Sequence, residues 1–404
     1  MITFRNSKSY KEIDGISFLV VIFFLLTFAL KVFTDGPYLR GEIPSSIAYL
    51  KYGTAFFACF FGFCLALKNG GRIFKQEFCN LLTILVIFLL ASSIQQAISQ
   101  RVSAMVFVEL IKLAMPIALS YCVLNSLDEK ALYKCLEIVL VLSFVAYIVD
   151  LSHEGVSIFS IINSDFSKSE SPTEHAGLSD IALVLSFYFL FFNQNKWPTV
   201  LSVILCLLTF KRLAMATVLI AAIIAFVFPQ IKFKKISNRI LLLSKIVSFI
   251  AVAWWFWMLL PAQERLFIDI FKETPFNFTS GRSGIMRWLL NSNFISFGFG
   301  STNAVVKPLF GAPFEMDFIK IAIELTPIAL ICFIWLFWNI TRNNFWSYLI
   351  VAFYVANMIT SDCLNSNFAF TLAYIVIGTV NYCLANCGND SNYAIDINEG
   401  HQHG

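Results

Sequence analysis

Two short basic segments contain the residues of this sequence that are best suited to bind phosphate. Lys211 and Arg212 are adjacent and lie between two apolar stretches, and Arg282 follows the residues Thr-Ser-Gly. Charged side chains beside such apolar stretches are costly, so each is a candidate functional residue. An arginine presents a planar pair of donors that matches a phosphate or pyrophosphate, and a neighbouring lysine adds charge. Snorkelling of Lys211 and Arg212 towards lipid headgroups is the alternative interpretation.

The residues around Arg282 predict the start of a helix. Thr279 and Ser280 supply hydroxyl groups, Gly281 follows, and an apolar periodicity continues beyond it. The amide groups at a helix start attract anions, and Arg282 lies in the first turn. Arg287 is also a candidate phosphate ligand, but it lies about 140° further around the helix. The two arginines therefore cannot readily share one phosphate, and we favour Arg282.

Three residues are candidates for a general base that accepts a proton from a sugar hydroxyl. Asp317 opens an apolar stretch, where we expect its carboxylate to face both water and the membrane rim. Glu315 is two residues earlier and would point elsewhere on a helix. His175 precedes another apolar stretch and is the third candidate. We favour Asp317.

Two further pairs of opposite charge allow a structural interpretation. Lys320 and Glu324 are spaced i,i+4, and Glu109 and Lys112 are spaced i,i+3. Residues at these spacings are neighbours on a helix, so each pair could neutralise itself.

The composition shows which elements must position these residues. Hydrophobic residues make up 58% of the 404 residues and charged residues 13%, against roughly 45–50% and about 25% in soluble domains. Apolar runs of about 18–22 residues recur along the whole chain, and each is long enough to cross a bilayer. The sequence therefore predicts an all-α integral membrane protein. A net charge of +4, scattered along the chain, gives no indication of nucleic acid binding.

The pattern predicts about twelve transmembrane helices. They are placed at 16–33, 46–67, 78–99, 104–124, 132–151, 177–192, 197–210, 213–229, 239–260, 318–338, 345–360 and 366–384. Lys and Arg are about twice as frequent in the segments that this topology places in the cytoplasm, which predicts that both termini are cytoplasmic. The predicted regions are helices 1–9 in 1–260, a large outer loop in 261–316, helices 10–12 in 317–384 and a polar tail in 385–404.

Several classes of protein are disfavoured by the absence of their motifs. The ten cysteines include no CxxC pair, and the four histidines are too few and too scattered for a zinc site. The sequence also lacks a P-loop, GxGxxG, HExxH and a nucleophile elbow. We therefore expect neither a metal nor a cofactor.

The order of these motifs resembles the O-antigen polymerase and ligase superfamily, and the Wzy-type polymerases in particular. Many predicted spans surround Leu-Thr-Phe-Lys-Arg212, which is followed by a large loop with Thr-Ser-Gly-Arg282 and Gly298-Phe-Gly300. The two glycines predict a turn that permits close approach of the backbone. An acidic segment with Asp317 and a helix with Glu324 complete the order. The family often has a tryptophan about four residues after the loop arginine, where this chain has methionine.

The resemblance implies glycosyl transfer from a lipid carrier in the bacterial inner membrane. A growing glycan would move from undecaprenyl pyrophosphate onto the end sugar of another lipid-linked repeat unit, on the periplasmic side. Arg212 and Arg282 would stabilise the departing pyrophosphate without a metal. The fold implied is similar to that of the C-type glycosyltransferases. The implied partners are the undecaprenyl-pyrophosphate-linked oligosaccharide, membrane lipids and a regulator of chain length.

Two other functions compete with a polymerase. A ligase would pass the glycan to a lipid A core or another acceptor, but ligases of the superfamily have a histidine in the large loop and segment 261–316 has none. A non-enzymatic flippase or transporter is the second alternative. Such proteins show internal repeats and broken spans at mid-membrane, whereas the charges here collect near the predicted outer rim.

Overall fold

A computed structural model describes residues 15–153, 155 and 176–387 of the chain. This described part is helical and contains no β-strand; its one strand-like feature is an isolated bridge between Lys235 and Asn344. The predicted all-helical class is confirmed. His175 and most of the predicted polar tail lie outside the described residues.

Seven helical segments of the described residues are long and apolar enough to cross a membrane. They are Gly15–Leu39 (α1), Ser45–Asn69, Lys75–Ser99 (α4), Ala104–Ser126 (α5), Glu129–His153 (α6), Asn238–Met258 (α10) and Asn367–Ala385. The segment Ser45–Asn69 consists of two consecutive helices, Ser45–Ala48 (α2) and Leu50–Asn69 (α3). The last segment belongs to the helix Asn367–Cys387 (α18). The multi-pass membrane class is therefore well founded. The count of twelve spans and the orientation stay predictions.

Five shorter apolar helices complete the bundle. They are Ala176–Phe192 (α7), Lys196–Leu208 (α8), Arg212–Val227 (α9), Pro327–Asn339 (α16) and Phe345–Thr360 (α17). Each falls within two residues of a predicted span at one or both ends. A 3₁₀ turn at Pro229–Phe233 follows α9.

The predicted tenth span is broken. The sequence pattern runs without interruption over 318–338, but the structure has a helix Asp317–Glu324 (α15) and then a new start at α16. Pro327 occupies the first turn of α16, where its missing N–H costs nothing, and the hydroxyl of Thr326 accepts a hydrogen bond from the amide of Ala329. The apolar pattern does not reveal this break, because apolar residues predominate on both sides of it.

Helix α18 lies at the centre of the bundle and extends slightly past its predicted end. In the most apolar stretch of 18 residues in α18, 83% of the residues are buried. The corresponding fraction is 28% in α1 and 28% in α10. It packs against α5, α7 and α17. The predicted tail at 385–404 therefore begins inside this helix, which continues to Cys387.

The segment 261–316 is a compact group of short helices. It contains a 3₁₀ turn at Pro261–Gln263 and the helices Glu264–Phe271 (α11), Pro275–Phe278 (α12), Arg282–Asn291 (α13) and Ser301–Phe310 (α14). Its apolar side chains form a separate hydrophobic cluster with the last turn of α10, including Trp255, Phe267, Met286, Val306 and Phe314. The segment is thus a folded cap, which we call the helical cap.

Contacts between the termini of different helices identify the two ends of the bundle. At one end, Arg40 pairs with Asp150, and the Gln95 amide donates to the Leu325 carbonyl. At the other, the Asn381 amide donates to Glu77. We call these the Asp317 end and the Arg342 end, after residues described below.

Candidate functional site

Arg282 begins a helix, as its sequence context predicts. Gly281 precedes α13 with a φ of 85°, a conformation that glycine adopts without a steric penalty. The hydroxyl of Thr279 accepts a hydrogen bond from the Ser283 amide at 2.9 Å. The N-cap residue is thus Gly281, the Thr279 hydroxyl binds one free amide of the first turn, and Arg282 lies in that turn.

Arg282 binds Glu315, so the structure brings together two residues that the sequence nominates for different roles. Both Nε and Nη2 of Arg282 donate to Oε2 of Glu315, at 2.9 and 2.5 Å. The two side chains are 28% and 37% exposed. An anion that approaches the helix start would compete with this carboxylate for the guanidinium group.

Arg287 has different partners on the far side of the same helix. Its Nη1 pairs with Glu264 at 2.9 Å, and its Nε donates to the carbonyl of Leu259. These contacts tie α13 to the junction between α10 and the helical cap. The expectation that Arg282 and Arg287 do not share one ligand agrees with this arrangement, since they hold separate carboxylates.

Lys211 and Arg212 lie at the turn of a tight helical hairpin, as predicted. Helix α8 ends at Leu208 and α9 begins at Arg212. The Lys211 ammonium pairs at 2.9 Å with Asp180 on α7, which is 2% exposed. Arg212 is an exposed residue of the first helical turn. Lys211 is therefore engaged by a buried carboxylate, and Arg212 is the more accessible cation of the pair.

Asp317 is enclosed by the protein, so the expectation that its carboxylate faces water is wrong. The residue is 0% exposed. Its Oδ2 accepts hydrogen bonds from the amides of Cys363 and Leu364, at 2.6 and 2.9 Å. Asp317 holds the connection between α17 and α18 against the start of α15, and this connection covers it.

A second carboxyl group lies beside Asp317. Burial raises the pKa of Asp317 well above its ordinary value, and the neighbouring Asp362 carboxyl raises it further through its charge and through a hydrogen bond. Two carboxyl groups in contact cannot both ionise cheaply, so this pair favours a shared proton. Asp362 in turn accepts a hydrogen bond from the Asn365 amide.

The predicted close approach at Gly298 and Gly300 is confirmed. Gly298 has a φ of 116°, and a Cβ there would lie 2.8 Å from the Cβ of Ser92 on α4. Gly300 has a φ of 91°, and its Cβ would lie 2.5 Å from the Cγ of Glu109 on α5. The hydroxyl of Ser92 also accepts a hydrogen bond from the Phe299 amide at 3.0 Å. This turn docks the helical cap onto two membrane helices.

Glu324 anchors the same turn and does not form the expected pair with Lys320. Its carboxylate accepts hydrogen bonds from the amides of Gly300 and Thr302, at 2.7 and 2.8 Å, and from the Thr302 hydroxyl. Lys320 is 0% exposed and lies 5.2 Å from the Phe299 ring centre. Its Nζ has no hydrogen-bond partner within the described ranges. The backbone amides of the turn compete for Glu324 more effectively than Lys320 does.

Glu109 and Lys112 form the structural pair that their spacing predicts. Oε1 of Glu109 is 2.8 Å from the Lys112 ammonium. Glu109 is 3% exposed and lies under Gly300. The pair therefore supports the docked turn.

The Lys211 hairpin and the Asp317 segment meet at the connection between α17 and α18. Burial raises the pKa of the Cys363 thiol, and the charges of Asp317 and Asp180 raise it further. The Lys211 ammonium opposes these effects, and Asp362 adds to them. Helices α7 and α9, which carry Asp180 and Arg212, both pack against α17. The Lys211 hairpin and the Asp317 segment therefore lie at the Asp317 end, around one buried connection.

Asp180 and Asp362 partner Lys211 and Asp317, and neither was predicted from the sequence as a functional residue. Asp180 lies inside the predicted span 177–192, and an ionisable residue within a span is itself a signal of function or pairing. Asp362 lies in a short polar connection and gives no such signal. His175, the third candidate base, lies outside the described residues.

Within residues 15–153, 155 and 176–387, no three His, Cys, Asp or Glu side chains are grouped as a metal ion would require. Arg282 in the helical cap and Arg212 at the hairpin carry positive charge of the kind that a phosphate requires.

Neither a scan against models of known protein families nor a search of curated proteins found a match to this chain. The resemblance to the O-antigen polymerases rests on the order and spacing of the motifs in the sequence.

Proposed function

We propose that this chain is a membrane-bound glycosyltransferase that polymerises oligosaccharide repeat units carried on undecaprenyl pyrophosphate. It would reside in the bacterial inner membrane, with the helical cap on the periplasmic side. It would transfer the growing glycan from its carrier to the end sugar of another lipid-linked repeat unit. An apolar bundle suits a polyprenyl carrier, and a polar cap at one end suits the attached glycan.

The observation that carries this proposal is the contact between Arg282 and Glu315. It joins a cation able to bind a pyrophosphate with a carboxylate able to accept a proton, and both are part-exposed. Glycosyl transfer from a diphosphate requires both groups within reach of one reacting centre.

Arg282 would bind the pyrophosphate of the donor and stabilise its charge as it departs. The diphosphate would displace Glu315, because it carries more negative charge and accepts a bidentate contact from the guanidinium group. The exposed Arg212 at the Lys211 hairpin would supply a second cation at the same end of the bundle. Lys211 pairs with Asp180, and Arg287 pairs with Glu264. Both residues would therefore help to position the surrounding helices and would add to the positive electrostatic potential of the site.

Glu315, once displaced, would become the general base. The acceptor hydroxyl attacks the anomeric carbon of the donor sugar and forms the new glycosidic bond. The bond from that carbon to the pyrophosphate oxygen breaks, its electron pair leaves with undecaprenyl pyrophosphate, and the hydroxyl proton passes to the Glu315 carboxylate. Asp317 is a less suitable base, because it is fully enclosed and both contacts of its Oδ2 hold the α17–α18 connection.

Deletion of the gene in its native host separates this proposal from its alternatives. Loss of a polymerase leaves single repeat units attached to the final acceptor. Loss of a ligase leaves none attached and causes lipid-linked polymer to build up, while loss of a flippase traps repeat units on the cytoplasmic face. Only the first pattern agrees with the proposed function; either of the others contradicts it.

A further inference from the structure

A polar cleft of about 580 Å³ lies at the Arg342 end of the bundle. Its walls come from the start of α4, the start of α10 and the end of α16, and include Asn80, Lys245, Trp335 and Arg342. The helical cap contributes nothing to its lining. The cleft is thus separate from the site proposed for glycosyl transfer.

Lys245 is the central cation of this cleft. It lies two turns inside α10 and is 8% exposed. Its ammonium donates to Oδ1 of Asn339 at 2.6 Å and lies 4.1 Å from the centre of the Trp335 ring. An ammonium group has three donors, and Asn339 receives only one of them. The ring and the amide hold the charge in place while leaving it able to bind an anion.

Arg342 supplies a second cation to the same cleft. Its Nη1 is 3.7 Å from Oε1 of Glu77, a loose contact, and its side chain is 38% exposed. Glu77 is itself buried and accepts a hydrogen bond from the Asn381 amide at 2.7 Å. Two cations therefore face the cleft, and the single Glu77 carboxylate can neutralise only one of them, which leaves a positive balance.

The other lining groups indicate what kind of anion would fit. Side-chain amides of Gln76, Asn80 and Asn238 line the cleft and can bind phosphate oxygens or hydroxyl groups. Next to them, Leu242 and Trp335 are 45% and 46% exposed on the apolar face of the bundle. A ligand with a polar anionic head and a long apolar tail would satisfy both surfaces.

The surroundings carry further positive charge. Lys234, Lys235 and Arg239 are exposed immediately before and within the first turn of α10. Clusters of basic residues at the end of a transmembrane helix attract anionic lipid headgroups. A soluble anion would gain from the same charges but not from the exposed apolar face.

We propose that this cleft binds the phosphate-bearing headgroup of an anionic glycerophospholipid, with the phosphate at Lys245 and Arg342 and the acyl chains along α10 and α16. The bound lipid would join three helices whose ends meet at the Arg342 end.

Native mass spectrometry of the delipidated full-length protein would test this proposal. The probes are phosphatidylglycerol, phosphatidylcholine with the same acyl chains, and inorganic phosphate. We expect the wild-type protein to bind phosphatidylglycerol at least fivefold more tightly than phosphatidylcholine. Lys245→Gln and Arg342→Gln should each weaken phosphatidylglycerol binding about fivefold or more. Lys196→Gln removes an exposed charge from the start of α8, outside the cleft, and should leave binding unchanged.

A second variant keeps the test decisive if loss of Lys245 disturbs folding. Asn80→Trp retains every charge but fills the cleft, and it should also prevent binding. Wild-type affinity in both Lys245→Gln and Asn80→Trp would overturn the proposal. A lipid draws much of its affinity from its acyl chains. If inorganic phosphate displaced phosphatidylglycerol when both were present at the same molar concentration, the assignment of the cleft to a lipid would be overturned.

Discussion

Arg282 and Glu315 form a contact in which two guanidinium nitrogens meet one carboxylate oxygen, at 2.9 and 2.5 Å. The residues are 33 positions apart in the chain. Their contact joins the start of α13 to the segment just before α15. A diphosphate bound at Arg282 must break this contact. Substrate binding and release of a carboxylate are therefore coupled in the mechanism that we propose.

Arg282 should be essential for polymer formation. Arg282→Ala removes the proposed pyrophosphate ligand and should lower polymerisation about 100-fold or more, with normal membrane insertion. Arg282→Lys should restore activity only partly, because an ammonium lacks the bidentate fork. The glycan ladder on a gel is the measurement. Arg265→Ala is the matched control, since Arg265 is exposed on α11 of the same helical cap. A ladder of wild-type length from well-expressed Arg282→Ala would remove this residue from the site.

Replacement of Glu315 should lower the rate without weakening substrate binding. Glu315→Gln keeps the size of the side chain but cannot accept the proton, so we expect a loss of about 10²–10⁴-fold in rate. Asp317→Asn should cost much less activity, because its remaining oxygen can still accept from Cys363 and Leu364. Rates of the two purified variants should be compared. The reverse order of effects would identify Asp317 as the base.

Gly300 should tolerate alanine less well than Gly311 does. Both have positive φ, 91° and 75°, so alanine is strained at either position. Only at Gly300 would the new Cβ overlap another side chain, Glu109, while Gly311 has nothing within 4 Å. We expect Gly311→Ala to cost about 1 kcal/mol and Gly300→Ala about 2–5 kcal/mol. Thermal unfolding in detergent would measure the difference, and equal losses would contradict the docked turn.

The carboxyl pair at Asp317 and Asp362 should make stability depend on pH. Because folding raises the pKa of Asp317, the folded state binds more protons than the unfolded state. The stabilisation is complete below the ordinary pKa of aspartate and is lost as the pH rises through the raised value. Asp362→Asn removes the like charge and should reduce this loss. Melting temperatures of both proteins across a pH series would test this, and parallel curves would contradict it.

The helical cap should be accessible from outside the cell. A membrane-impermeant maleimide should label Glu273→Cys, which is exposed next to α11, in intact cells. Lys234→Cys at the opposite end of the bundle is the control, and it should react only after permeabilisation. Labelling in the reverse order would invert the predicted topology and exclude periplasmic chemistry at Arg282.

The helices and their ends could largely be predicted from the sequence because their causes are local. Apolar length predicts the spans, and Thr279 predicts the start of α13 from its position before Gly281. The glycine pair at Gly298 and Gly300 predicts a close approach, although the sequence does not say to what. Lys320 and Glu324 show the limit of local reasoning, since backbone amides that are distant in sequence bind Glu324.

The partners of the charged residues could not be predicted, because they come from distant parts of the chain. Asp180 is 31 positions from Lys211, and Cys363 is 46 positions from Asp317. The burial of Asp317 has the same origin, since the α17–α18 connection that covers it follows two helices later. Spacing rules apply along one helix and carry no information about such contacts.

The most direct test of the central claim is polymerisation by the purified protein. Lipid-linked repeat units extracted from cells that lack this chain would be mixed with the full-length protein in detergent, and the products separated on a gel. We expect a ladder of oligomers, release of undecaprenyl pyrophosphate in proportion to the bonds formed, and neither product with Arg282→Ala. Repeat units that stay single in the presence of folded wild-type protein, with no carrier released, would contradict the account.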